Sequence, residues 1–471
     1  REVLLYQFHD ILPGSSIKRV YDESLARYAA MYQEVQGRIV EQDAALARWA
    51  DTSATEAPVV VQNSLPWART SWIRARGAWQ QITVPSMGYT VANAAEETVV
   101  NKNLIATETR LENDLLRATF AEDGSLASLY DKRLEREVLQ PDGGGNRLAV
   151  YTDLGDAWDF PMDYAAQKPR MMKLASAEAG IDGPQAVLTQ TYRLGHSEVT
   201  QRIVLTAGRA RLDFVTHIHW REIRSMLRTS FPIAVHAEEA TYEIQFGHIR
   251  RPTHSNTTWD LAKDEVCAHK WADLSQRDFG VALLNDSKYG HKIKDGVMDL
   301  DLLRSAPYPG DNRHLDDEVA PGEPHPGYTD QSDHEVTYAL YVHPGGPVEG
   351  DVVQEGYDLN VPLRITETGV HPGEGPSEAS FLTLDDPHVV VEAVKQAEDS
   401  DDVVVRLYEA GGGTVRTTLD LGFPAESVEE VNLMERSVGT PAWSLTTDET
   451  RTEIDLTFRP FEIKTLKITL T

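Results

Sequence analysis

From Ile17 to about Ala50, apolar side chains recur at alternating steps of four and three: Tyr21, Leu25, Tyr28, Tyr32, Val35 and Ile39, with charged residues between them. That is the period of one helical face. Some thirty residues at about 1.5 Å each predict a rod about 50 Å long. A helix with one apolar stripe needs a cover, and no second long helix follows, so the pattern predicts that its packing partners precede Arg1. After Asp51-Thr52-Ser53 the texture turns to short β runs. Pro58 to Gln62 reads as a buried strand, and Asn63-Ser64-Leu65-Pro66-Trp67 as the turn leaving it. Leu115 to Phe120 and Leu126 to Tyr130 flank Glu122-Asp123-Gly124-Ser125, a hairpin signal with glycine available for positive φ.

Further strands are predicted over residues 188–192, 199–205, 211–216, 335–342, 403–408, 454–458 and 463–470. Many short strands without alternating helices indicate antiparallel sandwiches rather than a parallel α/β sheet. Gly369 to Pro376 is a Pro/Gly-rich break, with a last sandwich expected from about Phe381. The predicted class is therefore mainly β behind a long N-terminal helix. Expected domain bounds are 1–52 (helical), 53–110 (small sandwich), 111–375 (large sandwich) and 376–471 (C-terminal sandwich).

Charge narrows the partners. Acidic residues outnumber basic ones, 74 to 45, for a net charge of −29. Such a surface repels nucleic-acid phosphates and anionic membranes and suits a neutral substrate. No apolar run of membrane-spanning length appears. Cys267 is the only cysteine, so no internal disulfide can form, which favours a reducing, cytoplasmic compartment.

Gln7-Phe8-His9-Asp10-Ile11-Leu12-Pro13-Gly14-Ser15-Ser16-Ile17 places a histidine beside a carboxylate, ahead of a Pro-Gly turn and a helix entrance. Serine there is expected to cap orphan amides, setting His9 and Asp10 on the lip of a helix N-terminus. One histidine is not a metal site, since zinc needs at least three protein ligands.

This motif resembles the segment that closes the catalytic domain of glycoside hydrolase family 38, the retaining, zinc-dependent alpha-mannosidases. The resemblance implies that His9 is a zinc ligand and Asp10 a sugar-binding residue. It also implies that the helix belongs to a three-helix bundle and that residues 111–375 form a galactose-mutarotase-like supersandwich. In the family the nucleophile and the acid/base are aspartates upstream of this motif. The chain is thus expected to be the C-terminal part of a longer enzyme, with no catalytic carboxylate of its own.

Asp153-Leu154-Gly155-Asp156-Ala157-Trp158-Asp159-Phe160 gathers three carboxylates around a tryptophan. Aromatic faces stack on the C–H surface of sugars while carboxylates accept paired hydroxyls. A merely solvated acidic loop explains the composition equally well. Family members carry a similar Asp-Ala-Trp-Asp segment, which implies that Asp156, Trp158 and Asp159 face the active site. The resemblance also makes Arg304 a substrate-binding candidate, although the stretch Tyr308 to Asp333 is longer than usual there and rich in Pro, Gly, Asp and His. His248, His254 and His269 match no zinc spacing and read as structural.

The expected partner is an alpha-mannoside oligosaccharide, with zinc as cofactor and homo-oligomerisation left open. Two alternatives stand beside it: a carbohydrate-binding sandwich without catalysis, and a mannosylglycerate hydrolase, which needs an extra basic residue for the substrate carboxylate.

Overall fold

A computed structural model describes the chain apart from residues 96–97, 99–102, 160, 311–313 and 440–442. Phe160 of the acidic loop and part of the long 308–333 stretch thus lie outside the described residues. The chain divides into two compact units, one made of residues 1–39, 100–242 and 250–352, the other of 40–99, 243–249 and 353–471.

The first unit is a large antiparallel sandwich. One layer runs Lys173–Asp182, Gln185–Leu194, Ser197–Thr206, Arg211–His219, Asp333–Pro344, Phe279–Asn285 and Trp271–Ser275, and is continued by the strand from Glu239. The other is six-stranded: Arg170–Met171, Ala149–Thr152, Ser225–Pro232, Val297–Arg304, Gly290–Lys294 and Val266–Cys267. Alternation decides which side chains meet between them. Leu188, Ile203, Phe214 and Leu340 from the first layer share one buried core with Leu227, Phe231, Met298 and Leu300 from the second. A third, five-stranded sheet contributes Leu111, Leu116 and Leu129 to the same core. Its hairpin turns at Gly124, where φ is 85° and a Cβ would lie 2.3 Å from the Tyr192 hydroxyl, so only glycine fits. The mainly-β architecture is as the sequence predicts.

The second unit contains a four-stranded sheet in the order Arg364–Glu367, Pro58–Asn63, Gly88–Asn93 and Glu378–Ser380. It also holds a C-terminal sandwich of two four-stranded sheets, packed around Val391, Val405, Leu419, Ile454, Phe458 and Leu466.

The long helix spans Lys18–Trp49. Its polar side carries the i,i+4 ion pairs Lys18–Asp22, Arg19–Glu23 and Arg38–Glu34. Leu25, Tyr32 and Val35 are exposed at 67%, 61% and 52%, so the apolar stripe faces outward. A short helix, Glu2–Tyr6, is tied to it where the Arg27 guanidinium grips the Glu2 carboxylate. Between them the chain forms successive turns, and one expectation is corrected. The Ser15 and Ser16 hydroxyls donate to the Asp10 carbonyl (3.4 and 2.6 Å) instead of capping helix amides, and the helix starts only at Lys18. The Pro13–Gly14 turn separates His9 and Asp10 from the helix entrance, and Gly14 takes φ 91° there.

Candidate functional site

The loop from Asp153 to Gln167 joins two strands of the six-stranded sheet. Its neck is closed because the Gln167 side-chain amide pairs with both the N–H and the C=O of Thr152 (3.1 and 3.0 Å). Inside, the chain wraps around Arg304. The guanidinium Nε donates to Asp153 Oδ2 at 2.5 Å and Nη2 to Oδ1 at 3.2 Å. Nη2 also donates to the carbonyls of Asp156 and Asp159, each at 2.7 Å. This bidentate geometry is what a planar guanidinium provides and an ammonium does not.

The three carboxylates have separated roles. Asp153 is buried beneath the loop on Arg304. Asp156 is folded onto its own turn, where Oδ1 accepts the N–H groups of Trp158 and Asp159 at 2.9 and 3.0 Å. Those backbone donors hold its carboxyl below the ordinary range. Asp156 and Asp159 are both exposed, beside a Trp158 that is 60% exposed. The turn thereby presents an aromatic face with carboxylates on either side of it, on a braced backbone.

The far end of the loop is anchored by residues that the sequence reading missed. Tyr164 is buried, donates its hydroxyl to Glu265 Oε1 (2.5 Å) and meets Tyr151 edge-on. Glu265 lies 3.0 Å from the buried Arg228 guanidinium, and Asp301 lies 3.6 Å from it. Burial, reinforced by Glu265 and opposed by Arg228, pushes Asp301 up to about 7 and Asp299 up to about 6. The available signal was the pair Asp299 and Asp301 alternating with Met298, Leu300 and Leu302, which puts two acids on the face turned away from the core.

Two cavities flank this loop within the first unit. One, of about 670 Å³, is lined by Asp156, Trp158, Asp159, Arg224 and Tyr308 among others. The second, of about 790 Å³, is lined by Pro13, Gly14, Lys18, Tyr21, Ala157, Arg304, Tyr308 and Asp330 among others. The structure thus brings together Asp156, Trp158, Asp159 and Arg304, with Tyr308 and Arg224 as unanticipated neighbours. His9 and Asp10 line neither cavity. They are exposed, with His9 Nε2 3.4 Å from Asp10 Oδ2.

Among the described residues no three His, Cys, Asp or Glu gather in a way that could hold a metal. His9 offers one accessible imidazole, so these residues do not by themselves fit a zinc site. The other histidines have structural neighbours: His254 sits 3.6 Å from Asp260, His269 against the Tyr289 ring, and His248 at 3.2 Å from the Ala410 carbonyl.

Comparison with known proteins assigns these sandwiches to a class, the C-terminal domains of glycosyl hydrolases. Family models match in chain order: Alpha mannosidase middle domain over 1–46, Glycosyl hydrolases family 38 C-terminal domain over 111–312, and Glycosyl hydrolases family 38 C-terminal beta sandwich domain over 388–466. The chain belongs to glycosyl hydrolase family 38, of which it carries a C-terminal portion. It is 36% identical over 498 residues to Alpha-mannosidase 2C1 of Homo sapiens, covering 100% of this chain and 45% of that protein. Alpha-mannosidase G of Dictyostelium discoideum is 30% identical over 536 residues, covering 99% and 47%. The chain spans about half the length of the curated relatives it matches. A solved alpha-mannosidase from Enterococcus faecalis shares the fold with TM-score 0.78 at 16% identity, over 99% of this chain and 62% of that one.

Proposed function

We propose that this chain is part of a retaining, zinc-dependent alpha-mannosidase that hydrolyses terminal alpha-mannosides of neutral oligosaccharides in the cytoplasm. The observation that carries this reading is the Arg304-braced loop, which sets Trp158 and Asp159 in the lining of a cavity in a chain of family 38. Retaining hydrolysis needs two carboxyls about 5–5.5 Å apart. On this reading both aspartates, and the metal ligands other than His9, come from outside these 471 residues. Zinc would supply electrostatic binding of sugar hydroxyls. The work of this chain is to stack one sugar face on Trp158, accept hydroxyls at Asp159 and hold both groups on a backbone that does not reorganise.

The test is zinc content and 4-nitrophenyl alpha-mannoside hydrolysis, measured on this chain and on the full-length enzyme. Zinc and activity in the full enzyme, lost together in its His9→Ala variant, support the proposal. Hydrolysis by the 471-residue chain alone overturns the placement of the catalytic carboxylates.

A mannosylglycerate substrate is the second reading, favoured by Arg224, whose side chain lines the Trp158 cavity and lies over the Tyr328 ring. Preferential cleavage of mannosylglycerate, abolished by Arg224→Ala, would select it. A non-catalytic sugar-binding role would show instead as glycan binding with no hydrolysis by the full protein.

A further inference from the structure

The long stretch after Arg304 folds back on itself. Pro307 bridges Tyr328, Tyr308 N–H donates to the Gly327 carbonyl at 3.0 Å, and Thr329 N–H to the Ala306 carbonyl at 2.9 Å. Arg224 lies over Tyr328 at 5.5 Å on the same base. Tyr308 is therefore fixed from behind. Its ring centroid lies 6.0 Å from that of Tyr21 on the long helix, and a Cβ on Gly310 would touch Ile17 at 3.5 Å.

Tyr308 lines both cavities, and the loop beside it alternates between them: Asp156 and Trp158 face one, Ala157 the other. The two spaces thus adjoin at Tyr308 and this loop. Each falls in the volume range of small-molecule sites, about 300–1,000 Å³.

We propose that Tyr308 divides the site into two adjacent sugar subsites, the second of which, between Tyr308, Tyr21, the Lys18–Asp22 pair and Asp330, holds the sugar next to the one on Trp158. This rests on reading the Trp158 cavity as the sugar site. The second cavity offers aromatic faces and carboxylate acceptors, the two features a pyranose ring uses. Its cations are already committed, Lys18 to both Asp22 oxygens at 2.7 Å and Arg304 to Asp153, which matches a neutral sugar rather than an anionic one. Burial pushes the Tyr308 phenol up to about 12, so the hydroxyl stays neutral and can both donate and accept.

The test is calorimetric binding of methyl alpha-mannoside and of an alpha-linked mannotriose to the 471-residue chain, with saturation-transfer NMR on the trisaccharide. The expected result is at least tenfold tighter binding of the trisaccharide, with saturation reaching two rings. Tyr308→Leu and Asp330→Asn should each erase that advantage. Equal affinity for the two ligands, saturation of one ring only, or an advantage that survives both variants overturns the second subsite while leaving the first intact. If neither sugar binds, the reading of the Trp158 cavity falls, and this proposal with it. The NMR arm uses the unmodified chain, so the outcome does not depend on the variants folding.

Discussion

Arg304 and Asp153 form a fork-to-carboxylate pair at 2.5 and 3.2 Å, 151 residues apart in sequence, with the Asp153 side chain only 1% exposed. The same guanidinium carries the loop carbonyls of Asp156 and Asp159. Arg304 was expected to touch substrate, and the structure shows where its donors go: into the backbone that presents Trp158.

Arg304→Ala leaves the Asp153 carboxylate buried without its partner. Breaking a buried pair in this way costs about 3 kcal/mol or more. Urea unfolding should show that loss, and hydrogen exchange should quicken across residues 153–167. Arg304→Lys keeps the charge but not the fork, so exchange in the loop should still rise while stability falls less.

Trp158→Ala separates presentation from support. The ring packs little of its surface against the protein, so stability should stay within about 0.5 kcal/mol. Affinity for methyl alpha-mannoside should fall about tenfold, since losing a central aromatic contact costs more than about 1 kcal/mol. Unchanged affinity in calorimetry would remove Trp158 from the site.

The cluster behind the loop predicts a pH dependence. Burial lifts the Asp301 carboxyl from 3.8 to about 7, against the Arg228 guanidinium 3.6 Å away, with Glu265 raising it further and Arg304 and Lys288 opposing. The native state therefore binds a proton that the unfolded chain releases from about pH 4 upward. Stability should fall as pH rises from about 4 to about 7, with the full cost present above 7. Asp301→Asn carries no charge at any of these values, and Glu265 still faces Arg228. The variant should gain on wild type as pH rises, its melting temperature exceeding that of wild type by more at pH 8 than at pH 5, the difference being equivalent to about 1 kcal/mol or more. Parallel melting curves at the two pH values would contradict the assignment.

Tyr164→Phe removes one hydroxyl and leaves the ring in place. Glu265 Oε1 then loses a donor in a buried setting, at a cost of about 1–3 kcal/mol. Thermal melts should register this, with hydrogen exchange rising at residues 161–167.

The outward stripe of the long helix makes the opposite prediction. Tyr32→Ser and Val35→Gln change side chains that are already exposed, so the melting temperature of this chain should barely move. A drop worth more than about 1 kcal/mol would show that the stripe is covered in solution.

Much of this was legible without coordinates, and the reason is local. The helix over Lys18–Trp49 follows from a 3.6-residue repeat, and strands such as Gln185–Leu194 from strict alternation. Gly124 could be placed at a turn because few residues besides glycine accept positive φ. Composition marked the Asp153–Asp159 loop as acidic and aromatic, and the family resemblance made Asp156, Trp158 and Asp159 candidate sugar-binding residues.

What the sequence could not state is which way each group points. Three aspartates in seven residues look equivalent on paper, yet Asp153 is buried on Arg304, while Asp156 and Asp159 are exposed and Asp156 caps its own turn. The serines after Asp10 were read as amide caps and turn out to donate to a carbonyl, because the helix begins past them. Tyr308, Tyr164 and Arg228 carry no motif. They matter because the fold brings distant segments together: Arg228 over the Tyr164 ring, and Tyr308 against Tyr21 of the long helix. Periodicity and turn residues act over a few positions and are written in the chain itself. The partners of a guanidinium, and the cavity an aromatic ring faces, are set by segments more than a hundred residues apart and exist only once the sheets have packed.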